Sequence, residues 1–161
     1  MDRTSFDKGS TTLISVAMGM AFLAIPLSPL FNLLNIGAVF TMGMSITGIL
    51  LGVLGLFIRY LAFTTLGRFF TRILRETDGH VLVTQGIYQY IRHPGYLSDI
   101  MIFVGGSLAM GNLIPMITVP ILFAVAYSYR IHVEEGMLLE MFGQAYAAYQ
   151  KTSKRLIPFV F

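Results

Sequence analysis

From Gly9 to Ile58 the chain reads GSTTLISVAMGMAFLAIPLSPLFNLLNIGAVFTMGMSITGILLGVLGLFI, without one charged side chain. A helix crossing the hydrocarbon core of a bilayer needs about 20 predominantly apolar residues, so this stretch holds two crossings and the turn between them. The first is expected over roughly residues 11–31. Pro26 and Pro29 fall in its last third and predict a bent or frayed end, because proline removes a backbone donor and kinks a helix. Asn32 and Asn35 mark the turn, and the second crossing is expected over roughly residues 36–61. Gly48 and Gly52 form a GxxxG pair, which lets another helix approach closely in lipid. Packing within the chain is the plain reading of that pair, and a dimer contact is the sharper one.

Working outward, a second charge-free run covers residues 100–129. The two runs take up about half the chain, and only 12% of all residues are charged. A soluble domain carries about a quarter charged residues, so this composition excludes an ordinary soluble enzyme, a disordered chain and a nucleic-acid reader. The second run is too long for one crossing. A turn at Gly111, Asn112 and Pro115 divides it into a third helix over residues 94–110 and a fourth from about residue 113 to 141, bent at Pro120. The expected fold is an all-α integral membrane protein with about four transmembrane helices. The whole chain, 1–161, reads as a single membrane domain, with a two-helix membrane part over 1–63 and the remainder over 64–161. The first apolar run exceeds the 7–15 residues of a signal-peptide core and reads as retained structure.

Arg59, Arg68, Arg72, Arg75 and Arg92 face only Glu76 and Asp78 in the central connection, and Lys151, Lys154 and Arg155 repeat the bias near the C-terminus. By the positive-inside rule the connection and both termini are cytoplasmic. The last eleven residues, basic and then apolar, suit a tail on the membrane surface. With no cysteine in the chain, disulfides, thiolate metal sites and a cysteine nucleophile are excluded. His80, His93 and His132 show no metal-ligand spacing, so no metal is expected.

Three constellations carry chemistry. In Tyr88-Gln-Tyr90-Ile-Arg92-His93-Pro94-Gly95-Tyr96, Pro94 suits the first turn of a helix and His93 takes the cap position. The first amides of that helix favour an anion, Arg92 and His93 add donors, and the tyrosines offer flat faces. An anionic ligand with an aromatic part fits, and so does a snorkelling arginine within a belt of interfacial tyrosines. In Arg130-Ile-His132-Val-Glu134-Glu135 the first and fifth residues share a helix face. Their basic-then-acidic order is the weaker one for helix stability, and ionisable groups ending a span are functional candidates. A solvated face just outside the bilayer is the alternative. Tyr146 and Tyr149, three apart, read as packing or interface anchors.

Taken in order, these segments resemble the isoprenylcysteine carboxyl methyltransferase family and its relatives among membrane phospholipid methyltransferases. The likeness runs through His80-Val81-Leu82-Val83, Gly86 and Tyr88, Arg92 to Tyr96, Arg130 with Glu134 and Glu135, Phe142 to Tyr149, and Arg155 with Pro158. It covers roughly residues 66–158.

The resemblance implies a membrane enzyme using S-adenosyl-L-methionine, with a cytoplasmic cofactor site covered by the connecting loop and a C-terminal helical segment. It implies that His80, Val81, Leu82, Val83, Tyr88, His93, Pro94, Gly95, Tyr96 and Glu134 hold the cofactor. Arg130 faces the substrate, and Arg130 and Glu134 are the catalytic pair. The acceptor is a prenylcysteine-like carboxylate or another lipophilic or lipidated molecule met among membrane lipids, with no nucleic acid involved. The membrane is the plasma membrane in a prokaryote and the endoplasmic reticulum in a eukaryote. An amine N-methyltransferase, in which Glu135 or a water takes a proton, and an NADPH-dependent membrane reductase of related architecture are the alternatives among enzymes, and a small assembly bundle is the non-enzymatic one. The chain departs from the family's pattern at Ser98, where glycine is frequent, and in having less N-terminal membrane structure than larger eukaryotic members.

Overall fold

The computed structural model describes residues 9–67 and 82–157. Five α-helices follow one another: α1 (Ser10–Leu33), α2 (Met42–Leu66), α3 (Pro94–Met110), α4 (Leu113–Phe142) and α5 (Gln144–Thr152). A short 3-10 turn, Gly86–Gln89, precedes α3. Helices α1, α2 and α4 are long and apolar enough to cross a membrane. The 17 residues of α3 span about 26 Å at 1.5 Å per residue, close to the ~30 Å hydrocarbon core. Phe22, Leu23 and Leu50 are each more than 60% exposed. In water such a surface would be an aggregation hazard, and in a bilayer it is the solvated one. The chain is an all-helical integral membrane protein.

The helices run alternately up and down, and asparagines lock the end away from the arginines. Asn112 is fully buried. Its amide donates to Asn32 Oδ1 and to the Ile36 carbonyl, both at 2.8 Å, while its Oδ1 caps α4 by accepting from the Ile114 amide at 3.0 Å. Asn32 in turn donates to the Met110 carbonyl at 2.9 Å. A short antiparallel bridge, Ala38 to Asn112, joins the two turns directly.

This clamp accounts for the late start of α2, which runs over Met42–Leu66 where the sequence predicts 36–61. Residues 36–41 are apolar, yet they form a turn held against Asn112, and α2 begins only after Thr41, whose side chain caps it by accepting from Met44 N at 3.2 Å. Pro26 and Pro29 do not end α1, which continues to Leu33, and α4 continues through Pro120 to Phe142. In a bilayer, neighbouring helices and local adjustment tolerate proline inside a helix.

The closest approach in the bundle is between α2 and α3. A Cβ built at Gly48 would lie 2.4 Å from the Gly105 carbonyl oxygen, and one at Gly105 would lie 2.5 Å from the Gly48 carbonyl oxygen. Backbone cannot yield that distance, so the GxxxG face of α2 is spent inside the chain on α3. Helix α1 packs chiefly on α4 and forms no comparable interface with α2. Between the two pairs runs a column of rings from Phe22 through Phe103, Phe123, Tyr127 and Tyr96 to His93, with centroids 4.9–5.5 Å apart. These spacings are ordinary for offset and edge-to-face pairs. The column ties the middle of the bundle to the start of α3, where the chemistry-bearing residues collect.

Candidate active site

Pro94 opens α3 as its first residue, with His93 at the cap. The strand-like segment before it pairs with the chain after α5. The Arg92 amide donates to the Lys154 carbonyl at 2.7 Å, Lys154 N to the Tyr90 carbonyl at 2.9 Å, and His93 N to the Arg155 carbonyl at 3.1 Å. Residues 153–155 are therefore folded back onto the start of α3 rather than laid along a membrane surface, and residues 158–161 lie outside the described residues.

Glu135 is the centre of this junction. One carboxylate oxygen accepts from Arg92 Nε at 2.8 Å, and the other from Arg155 Nε at 3.1 Å. His93 Nε2 lies 3.4 Å from the first oxygen. The Arg92 guanidinium also donates to the Ser153 carbonyl at 2.5 Å. The side chains of Arg92 and Glu135 are only 8% and 7% exposed, so the pair is buried and multiply bonded.

Glu134, one residue earlier, points elsewhere. The Tyr96 hydroxyl donates to its Oε2 at 2.5 Å and accepts from Arg130 Nε at 3.1 Å. His93 Nδ1 lies 3.6 Å from the same Glu134 oxygen. Arg130 is 3% exposed and reaches across to α1, donating to Ser10 Oγ and Thr11 Oγ1, both at 2.8 Å. A single phenol hydroxyl thus joins the guanidinium and the carboxylate that the sequence placed on one helix face.

These groups border a cavity of about 300 Å³, at the lower limit of ligand pockets. Leu82, Val83, Tyr88, His93, Pro94, Gly95, Tyr96, Arg130 and Glu134 all line it. His80 and Val81 lie outside the described residues. Tyr88 is buried, and its carbonyl accepts from the Tyr149 hydroxyl at 2.5 Å. Burial pushes the Tyr88 hydroxyl well above its ordinary pKa, with the Glu134 charge adding to the shift, and pushes Tyr149 up to about 12. Both stay protonated donors at neutral pH. Among the described residues no cluster of three metal-ligating side chains forms.

The remaining walls are apolar. Ile14 and Met18 come from α1, Ala62, Phe63 and Leu66 from α2, and Met137 and Leu138 from α4. Helices α1 and α2 scarcely pack on each other, yet both contribute side chains to this one cavity. At the inner end Arg59 pairs with Asp99, whose second oxygen accepts from the Tyr127 hydroxyl at 2.9 Å. Arg59 and Asp99 both line the cavity, and the sequence reading passed over them as site residues. The available signal is that each one closes a charge-free run, at residues 58 and 100. Ionisable groups in that position mark pathways and sites.

Known proteins resemble this chain in sequence and in fold. A sequence model of the isoprenylcysteine carboxyl methyltransferase family matches residues 48–140. A probable protein-S-isoprenylcysteine O-methyltransferase of Oryza sativa subsp. indica is 33% identical over 118 residues, covering 72% of this chain and 62% of the rice protein. The Dictyostelium discoideum protein-S-isoprenylcysteine O-methyltransferase is 38% identical over 108 residues, covering 66% of this chain and 46% of its own. The solved structure of a eukaryotic intramembrane Ras methyltransferase superimposes with a TM-score of 0.74 at 27% identity, over 91% of this chain and 52% of that one. The chain thus spans 46–62% of the length of these relatives.

Proposed function

We propose that this chain, which belongs to the isoprenylcysteine carboxyl methyltransferase family, transfers a methyl group from S-adenosyl-L-methionine to the carboxylate of a prenylcysteine-like, lipid-borne acceptor. The observation that carries the reading is one cavity with two characters. Its polar end holds Arg130, Tyr96 and Glu134, and its remaining walls are apolar side chains of α1, α2 and α4, three helices long and apolar enough to cross a membrane. A water-borne donor and a membrane-borne acceptor need such a meeting place. The relatives named above are methyltransferases of isoprenylcysteine.

The residues present fit that donor. Glu134 is a carboxylate for its ammonium, Tyr88 and Tyr96 are flat faces, and one buried tyrosine hydroxyl, on Tyr146, has no partner among the described residues. Leu82, Val83, Tyr88 and the segment from His93 to Tyr96 would hold the rest of the molecule, together with His80 and Val81 from the connecting segment. When bound, the donor supplies a methyl group on a sulfonium, whose positive charge is lost on transfer. Arg130 orients the acceptor carboxylate through the charge of its guanidinium, and its own pose is fixed from α1 by Ser10 and Thr11 and from α3 by Tyr96. Apolar side chains of α1 and α2 exclude water and take the lipid. Catalysis is then positioning and desolvation. A carboxylate nucleophile needs no general base, and the site fits that economy. An amine acceptor would need a proton acceptor, and the carboxylate suited to the task, Glu135, is committed to Arg92 and Arg155. In this division residues 64–161 carry the donor site and the catalytic pair, and 1–63 supplies the lipid-facing walls.

Purified protein in detergent should bind S-adenosylhomocysteine saturably and NADPH not at all, and should methylate a farnesylated cysteine derivative with a free carboxylate but not its amide. Binding of NADPH alone would replace this reading with the reductase one. The arginine-bearing end faces the cytoplasm in the same proposal, at the plasma membrane of a prokaryote or the endoplasmic reticulum of a eukaryote. A lone cysteine at the exposed Lys151 should react with an impermeant reagent only after the membrane is opened. Labelling in sealed cells from outside would reverse the orientation.

A further inference from the structure

We infer that the Tyr146 hydroxyl is a ligand-binding group of this site, donating to the amino-acid end of the bound methyl donor. The inference rests on the reading that the cavity takes that donor. It begins from an orphan. Tyr146 is 1% exposed, and its hydroxyl is the one buried side-chain polar atom without a hydrogen-bond partner among the described residues. Buried polar atoms in native proteins are nearly always bonded, because an unmade bond forfeits hydration without replacement.

Loose packing of α5 does not explain it. Three residues on, Tyr149 donates to the Tyr88 carbonyl at 2.5 Å, and Ser153 donates to the Tyr149 carbonyl at 2.6 Å. The helix is held by the Tyr149 bond to Tyr88 in its second half and enters from the sharp turn at Gly143, where φ is +52°. Tyr146 is therefore held in place with its hydroxyl unspent, and it lines the cavity.

Position selects the part of the ligand. Helix α5 packs on α4 and forms no comparable interface with α1 or α2, so Tyr146 reaches the cavity from the α4 side, where Glu134 also lines it. The charges acting on it are those of Glu135, Arg92 and Glu134. An amino-acid zwitterion offered to this corner finds Glu134 for its ammonium and needs a donor for its carboxylate. Arg92 is engaged by Glu135 and by the Ser153 carbonyl. Tyr146 supplies a donor with no prior commitment.

The test uses the full chain in detergent, with three proteins: wild type, Tyr146→Phe and Tyr149→Phe. Thermal unfolding is followed without ligand, and affinities are measured for S-adenosylhomocysteine and for methylthioadenosine, which lacks the amino-acid part. An unspent hydroxyl predicts that Tyr146→Phe melts at or above the wild-type temperature, while Tyr149→Phe, which loses a bond, melts below it. Tyr146→Phe should weaken S-adenosylhomocysteine about tenfold and leave methylthioadenosine unchanged. A lower melting temperature for unliganded Tyr146→Phe would overturn the inference, since the hydroxyl would then have a structural partner. Undiminished S-adenosylhomocysteine affinity would overturn it too, and equal weakening of both ligands would move the contact to the nucleoside. Failure of the wild type to bind S-adenosylhomocysteine would instead reject the methyl-donor reading of the cavity itself.

Discussion

Glu135→Ala should destabilise the protein by about 3–5 kcal/mol, the usual cost of removing one partner from a buried ion pair. The charge left behind is Arg92, whose side chain is 8% exposed and sits between the starts of α3 and the C-terminal segment. Arg155, at 44% side-chain exposure, can turn to solvent and softens the loss only on its own side. The neighbouring substitution is the control. Glu134→Gln keeps an acceptor for the Tyr96 hydroxyl, and its side chain is 23% exposed, so its stability cost should stay within about 1 kcal/mol. Two adjacent carboxylates are thereby assigned opposite duties, one holding the fold and one facing the cavity. Thermal unfolding of both variants in the same detergent decides it, and equal melting temperatures would contradict the assignment. Activity should vanish in Glu135→Ala for a derivative reason: the junction of residues 90–93 with 153–155 positions Arg92 and His93, which line the cavity.

The sequence exposed some of this arrangement and hid the rest, for physical reasons. The bounds of α3 were legible because Pro94 and Gly111 bracket it, the first with a φ preset for helix and the second at φ +58°. The start of α2 was not, because residues 36–41 are as apolar as the helix that follows. Long-range bonds, from Asn112 to the Ile36 carbonyl across 76 positions and from the Leu113 amide to the Gly37 carbonyl, make them a turn, and hydropathy carries no record of such bonds. The segment from Arg92 to Tyr96, with Arg130 and Glu134, could be recognised as a pattern and converges on one cavity. The pairing of Arg59 with Asp99 and the grip of Ser10 and Thr11 on Arg130 could not, since they join residues 40 to 120 positions apart. Tyr146 and Tyr149 are alike in sequence, and a spacing of three cannot say which of them has found a carbonyl.

Arg130→Lys should reduce turnover about 10- to 100-fold while leaving affinity for the methyl donor within about twofold, the range expected when one charge-assisted contact to the acceptor is lost. The fork of Arg130 is spread over three hydroxyls, those of Tyr96, Ser10 and Thr11, at 2.8–3.1 Å. An ammonium on a flexible stem has only three donors, so it cannot hold those three hydroxyls and still offer a further donor to a carboxylate. Glu134→Gln should show the reverse pattern, with donor affinity falling about tenfold or more because a neutral amide no longer pairs with an ammonium. The Tyr96 hydroxyl lies between the two groups, so each single change also disturbs a shared bond. Tyr96→Phe measures that coupling and should lower donor affinity and turnover together. Were Arg130 and Glu134 merely a structural pair bridged by Tyr96, all three variants would lose stability and donor affinity in parallel. The divided site requires that Arg130→Lys part company with Glu134→Gln, one failing at the acceptor and the other at the donor. That separation follows from what each group touches: Arg130 donates to Ser10 and Thr11 of α1, while Glu134, one turn further along α4, meets Tyr96 and His93 at the start of α3.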